Sequence, residues 1–185
     1  MNKKELVYKD FRVSHDCPRC ATPLSNSEVG VDTYKDVKDP AIIVKFKLKN
    51  ESNTYLLAWT TTPWTLSANA ALAVDPEMNY LKVRIKSNDE TYIFAESRKN
   101  EVLKGIVYPI EDEDEEEMKV EFLGIVKGKK MLGWEYEPLY DFIKPDKKAY
   151  FVIAGDFVTA DEGTGIVHVA PGFGEADMDA GKKND

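Results

Sequence analysis

Two short segments hold most of the side chains in this sequence that could do chemistry together. The first, residues 59–69 (WTTTPWTLSAN), crowds the hydroxyls of Thr60, Thr61, Thr62 and Thr65 with the Asn69 amide, flanked by Trp59 and Trp64. Pro63 biases Thr62 toward extended geometry. In an extended stretch Thr60 and Thr62 face one side and Thr61 the other, so a ligand at a turn here meets hydroxyls and backbone donors at once. Threonine is also simply a good strand residue, and residue types alone leave both readings open.

The second segment, residues 161–177 (DEGTGIVHVAPGFGEAD), has glycines at both ends of a short apolar run. Gly163 and Gly165 permit a tight turn into a strand, and Gly172 and Gly174 let the chain pass close to a ligand before a helix opens near Glu175. Asp177 then falls in the first turn of that helix, where the positive end of the helix dipole favours an ionised carboxylate able to hold an ammonium group. The plainer role for Asp177 is to stabilise its own helix. His168 sits on the apolar strand, as a site residue or as a satisfied core histidine.

Other chemistries find less support. His15, Cys17 and Cys20 are the only candidate zinc cluster, and zinc wants at least three protein ligands and usually four. There is no Gly-x-Ser-x-Gly elbow, phosphate loop or dinucleotide fingerprint, which argues against acyl-serine, nucleotide-hydrolysis and hydride-transfer enzymes. No metal site is assigned.

The elements that must position these groups are mostly strands. Apolar runs at 41–48, 55–59, 80–85, 92–95, 120–126, 150–157 and 166–169 include clear alternation, as in Ile43, Val44, Lys45, Phe46, Lys47 and Leu48. So many strands imply a barrel or folded sheet. Helical signals are confined to residues 96–103, stopped by Lys104 and Gly105, and to the stretch from Glu175 onward. The 185 residues suit one domain, and the abrupt ending at residues 181–185 suggests excision from a longer chain. Hydrophobic residues at 43% and charged residues at 31% can build a core and exclude wholesale disorder. No run reaches the roughly 20 apolar residues of a spanning helix, and no secretory signal opens the chain, so a cytoplasmic protein without a membrane partner is expected. Two cysteines fit a reducing compartment.

The net charge of -8 comes from 25 basic and 33 acidic side chains, yet seven of the acids form the unbroken run 111–117. That run reads as a solvated loop, and without it the chain is close to neutral. Charge therefore argues against broad, sequence-independent nucleic-acid binding.

Taken together, WTTTPWTLSAN at 59–69, GTGIVHVAPGFGEAD at 163–177, and CPRCATPLSNSEV with YKDVKDPAIIVKF in the first quarter resemble the editing domain of class I isoleucyl-tRNA synthetases, the insertion that splits their catalytic domain. The resemblance covers most of the chain. The related valyl and leucyl domains typically carry Thr-Thr-Arg-Pro in the first motif and lack a histidine at the place of His168, so Thr62 and His168 favour the isoleucyl member over a valyl-type domain. Ser67 stands where the family usually has proline, and Phe173 where many members have histidine.

The resemblance implies a β-rich α+β fold with a closed, roughly six-stranded β-barrel core and peripheral helices and hairpins. It implies one editing domain over residues 1–185 and a monomer. The implied activity is post-transfer editing, hydrolysis of valine wrongly esterified to the 3′-terminal adenosine of tRNA(Ile), within the rest of the synthetase chain. A second site is needed because excluding a side chain one methylene smaller yields only about 1 to 3 kcal/mol, a general magnitude for which isoleucyl-tRNA synthetase is itself the standard example. By the same resemblance Asp177 holds the α-ammonium, while Thr60, Thr61 and Thr62 bind the adenosine and ester and place a water. Trp64, Thr65, Asn69 and His168 line the substrate pocket. An aminoacyl ester is labile, so the chemistry requires no cofactor, metal or covalent nucleophile. The activation signatures of a synthetase are absent, so no amino-acid activation is expected of this chain. The competing readings are a non-hydrolytic module that binds aminoacyl-adenosine or the tRNA end, and a zinc-ribbon protein centred on Cys17 and Cys20.

Overall fold

Strand formation follows the apolar runs. The computed structural model describes residues 7–30, 35, 37–106, 119–142 and 144–184, and the acidic run 111–117 lies outside the described residues. A small hairpin pairs β1 (Asp16–Cys17) with β2 (Thr22–Pro23). Then come β3 (Ile42–Lys47), β4 (Thr54–Thr60), β5 (Ala71–Val74), β6 (Asn79–Ile85), β7 (Glu90–Ala95), β8 (Val120–Lys127), β9 (Phe151–Ala154) and β10 (Ile166–Val169). The helices are α1 (Lys99–Ile106), α2 (Gly128–Met131) and α3 (Glu175–Lys183), with 3-10 turns at Pro63–Ala68 and Glu96–Arg98. None of the described helices is long and apolar enough to cross a membrane.

The ladders form a five-stranded sheet in the order β3-β4-β7-β6-β8 and a three-stranded sheet in the order β10-β5-β9. Strand β4 buries both faces, sending Leu56 into one apolar cluster with Phe46, Tyr80, Ile93 and Ile166, and Leu57 into another with Val83, Phe94, Val102 and Leu103. Each such side chain contributes about 1.5–3 kcal/mol by leaving water, which makes β4 the spine on which the threonine segment hangs. A third cluster packs α3, through Ala180, onto Ala71, Ala73, Ile153 and Val169.

The closed barrel expected from the resemblance is not formed by continuous ladders: among the described residues both larger sheets are open. Bridges outside these strands join them instead. Leu48, just beyond β3, bridges Tyr136, and Glu135 bridges Phe151 of β9. At the other side the Ala95 N–H at the end of β7 donates to the Thr164 carbonyl at 2.8 Å, next to β10. Residues 133–137 span the first seam with backbone hydrogen bonds on both sides: Lys49 N–H to the Glu135 carbonyl and Glu137 N–H to the Lys47 carbonyl toward β3, and Tyr136 N–H to the Tyr150 carbonyl and Val152 N–H to the Trp134 carbonyl toward β9, all at 2.8 to 3.0 Å.

The strand β5 carries no signal in the sequence. Its residues are Ala, Leu, Ala and Val, all buried between β10 and β9, and alanine is a weak strand former. Small side chains are tolerated there because α3 packs closely over them.

Candidate active site

The two singled-out segments meet. Thr60 ends β4, and Pro63 opens the 3-10 turn at its first position, where a missing N–H costs nothing. Thr62 departs from the extended geometry expected before proline: its φ and ψ are -119° and 63°. The cause is its carbonyl, which accepts from the Thr65 N–H at 3.0 Å and from the Thr65 hydroxyl at 2.8 Å. Thr60 Oγ1 accepts from the Thr62 N–H at 3.0 Å and lies 3.2 Å from Thr62 Oγ1, so these two hydroxyls do share a side as expected. Thr60 is buried, whereas Thr61 and Thr62 are exposed.

From the second segment, β10 carries His168 under this turn. Thr65 Oγ1 lies 2.7 Å from His168 Nε2, and the Asn69 Nδ2 group lies 3.3 Å from His168 Nδ1 while also donating to the Ala71 carbonyl at 2.9 Å. The Tyr136 hydroxyl donates to Asn69 Oδ1 at 2.7 Å. His168 is 7% exposed, and burial lowers its pKa from the ordinary 6.5, opposed by the negative charge of Asp177. Neutral imidazole is therefore its resting form.

The α3 helix begins after Gly174, and Asp177 stands in its first turn, half-buried. Asp177 Oδ2 accepts from the Ala170 N–H at 2.9 Å, which fixes the carboxylate beside the end of β10. Among the described residues no hydrogen bond engages Oδ1, so one oxygen is available to a cation.

The glycine turn before β10 is held tightly. Gly163 and Gly165 have φ of 66° and 71°, in the left-handed region. A Cβ on Gly163 would stand 2.9 Å from Trp59 Cβ, and one on Gly165 would collide with Ala95 Cβ. The Tyr80 hydroxyl donates to the Gly165 carbonyl at 2.9 Å, and Arg98 donates to the carbonyls of Gly163 and Asp161.

Of the remaining sequence-derived candidates, Trp64 lies in the Pro63–Ala68 turn and is 64% exposed. Tyr136 was not singled out by its sequence, although the alternation Glu135, Tyr136, Glu137 marks it as inward-facing. A mainly apolar cavity of about 420 Å³ is lined by Ala71, Phe151, Ile153, Val169 and Met178 of β5, β9, β10 and α3, and none of Thr60, Thr61, Thr62 or Thr65 lines it. Among the described residues no three His, Cys, Asp or Glu side chains gather as a metal site; Cys17 and Cys20 are free thiols on the β1-β2 hairpin.

Among curated proteins, the isoleucine–tRNA ligase of Clostridium acetobutylicum is 49% identical over 182 residues, covering 98% of this chain. That of Clostridium novyi is 47% identical over the whole chain, and that of Bacillus thuringiensis strain Al Hakam 46% over 177 residues. The chain is homologous to one segment of isoleucyl-tRNA synthetase. This synthetase segment spans 16% of the length of those relatives. No protein-family model matches it. The fold of the segment is that of a synthetase editing domain: it matches the crystal structure of GlLeuRS-CP1 with a TM-score of 0.53, 21% identity, and coverage of 71% of this chain and 55% of that one. It also matches the Plasmodium knowlesi cytosolic leucyl-tRNA synthetase editing domain with a TM-score of 0.56, 14% identity, and coverage of 71% and 58%. The synthetase segment thus pairs isoleucyl relatives in sequence with an editing-domain fold in structure.

Proposed function

We propose that this segment is an editing domain that hydrolyses valine misattached to tRNA(Ile). The observation that carries the reading is the 2.7 Å contact between Thr65 and His168, which joins the hydroxyl-rich turn to the strand leading into Asp177. The ammonium of the aminoacyl ester sits against Asp177 Oδ1, whose partner oxygen is already tied to the backbone, so ion pairing costs little side-chain entropy. That contact orients the ester carbonyl toward the turn.

Thr61 and Thr62, exposed at the turn, contact the ester and the 3′-terminal adenosine and place the attacking water, while Thr60 braces them from beneath. His168 does not act as the base. Its Nδ1 faces the Asn69 amide and its Nε2 faces Thr65, so neither nitrogen is free to take a proton from water. Held neutral by burial, it forms with Thr65 the wall that admits valine and turns isoleucine away by bulk, with Trp64 closing the open side. Asn69 holds the imidazole in place. The domain works in the cytoplasm as a monomeric part of the longer synthetase, with the charged tRNA end as its partner, and residues 1–185 make up one such domain.

The test is deacylation of valyl-tRNA(Ile). Asp177→Ala removes the charge partner of the ammonium, and we expect turnover to fall about 100-fold. Unchanged turnover removes Asp177 from the mechanism.

A further inference from the structure

We propose that Tyr136 is a positioning residue for the pocket: together with the Ala71 carbonyl it holds the orientation of the Asn69 amide, which keeps His168 as the Nε2–H tautomer and so sets the shape and polarity of the wall that meets the amino-acid side chain. Its consequence for substrate choice rests on the editing reading above.

The hydrogen-bond directions follow from groups that have no choice. The Ala71 carbonyl can only accept, so the Asn69 atom 2.9 Å from it is the amide nitrogen. Asn69 Oδ1 therefore points at Tyr136, whose hydroxyl donates to it at 2.7 Å. The second proton of the amide nitrogen faces His168 Nδ1 at 3.3 Å, so Nδ1 must present its lone pair. A neutral imidazole carries one N–H, which then lies on Nε2 and donates to Thr65 Oγ1 at 2.7 Å. Thr65 passes its own proton to the Thr62 carbonyl at 2.8 Å. A single unbroken direction thus runs from Tyr136 through Asn69, His168 and Thr65 to the catalytic turn.

Every member of this relay is less than a tenth exposed, and Tyr136 is fully buried. Water cannot substitute for a lost partner there, so the relay acts as a unit. A protonated His168 would set an N–H at Nδ1 against the amide N–H of Asn69, two donors face to face. The relay thus resists protonation by geometry. Among the described residues, the titratable groups facing His168 are Asp177 from the first turn of α3 and, through Asn69, Tyr136. Tyr136 stays protonated because burial drives its pKa upward. Its ring is anchored independently, edge-on to Phe46 at 5.3 Å between centroids, so Tyr136→Phe removes the donor and leaves the packing.

The experiment is a nitrogen-15 NMR titration of the chain labelled at histidine, in the wild type, Tyr136→Phe and Asn69→Asp. The wild type is expected to show His168 with its proton on Nε2 and a titration midpoint below the ordinary 6.5. Tyr136→Phe is expected to raise the midpoint and admit the other tautomer. Asn69→Asp, which places an acceptor opposite Nδ1, is expected to move the proton there or to charge the ring. In deacylation, Tyr136→Phe should lower the ratio of kcat/KM for valyl over isoleucyl ester about fivefold, the value of one neutral hydrogen bond. A wild-type proton on Nδ1, or a Tyr136→Phe spectrum and midpoint identical to wild type, overturns the proposal. Should Tyr136→Phe fail to fold, the wild-type tautomer and Asn69→Asp decide it. The tautomer arm needs no turnover, so inactivity toward both esters with the expected nitrogen spectra strikes the editing reading alone.

Discussion

The polar relay under the threonine turn and the row of ion pairs along β3 use hydrogen bonds of similar length in opposite surroundings. Thr65, Asn69, His168 and Tyr136 contact one another at 2.7 to 3.3 Å with almost no exposed surface. Along β3 and just beyond it, Lys45, Lys47 and Lys49 reach Glu90, Glu137 and Glu135 at 2.7, 2.9 and 3.1 Å, with each lysine side chain 44% exposed. In the relay no water can replace a lost partner, so breaking one bond leaves a buried polar atom unsatisfied. On β3 both partners return to solvent when parted, and salt screens their attraction. Distance alone therefore does not rank these contacts; the dielectric and the access of water do.

Four changes break or sharpen that contrast. The largest effect on stability is expected outside both regions, at the turn that delivers β10 to the relay. Gly165→Ala puts a Cβ against buried Ala95 at a φ of 71°, and should lower the unfolding free energy in urea by about 3 kcal/mol. Next comes Asn69→Ala, which strands the Tyr136 hydroxyl and His168 Nδ1 and should cost about 2 kcal/mol in the same titration. A smaller, pH-dependent effect follows from His168. Its folded-state pKa is depressed by burial, so the unfolded chain takes up a proton near 6.5 before the folded one does. Stability is then full above 6.5 and declines as pH falls through the folded value, and chemical denaturation across pH 7.5 to about 4.5 should show this step vanish in His168→Gln. The smallest effect is expected for Lys47→Met, which parts the exposed pair with Glu137 and should leave the urea midpoint unchanged at moderate salt. A loss there as large as that of Asn69→Ala would sink the contrast.

Much of the fold was legible in the sequence, and the omissions have causes. The alternation from Ile43 to Leu48 marks β3 because a half-buried strand repeats every two residues, and β10 is visible as an apolar run between glycines. The strand β5 was invisible because its alanines owe their conformation to the strands on either side and to α3 above them. The Thr62 backbone escapes the sequence rule because the preference of a residue before proline is local, and two hydrogen bonds from Thr65 outweigh it. For the site, the segments that hold Thr60, Thr65, Asn69, His168 and Asp177 stood out by residue type and glycine spacing. Tyr136 did not, since a tyrosine between two glutamates looks like any alternating stretch until its partner across the seam is known.

The amino-acid sequence alone determined where most of the longer strands lie, that Gly163 and Gly165 can turn, and that hydroxyls and a carboxylate are concentrated in two stretches a hundred residues apart. These are properties of neighbours along the chain, set by periodicity, steric freedom at glycine and the lack of a proline N–H. Tertiary structure decided that His168 lies beneath Thr65 rather than in an apolar core, that its nitrogens are both engaged, and that among the described residues the two sheets meet through the short segment 133–137 rather than through one continuous ladder. Such outcomes depend on which groups compete for each buried donor and acceptor, and that competition exists only once distant segments have been packed away from water.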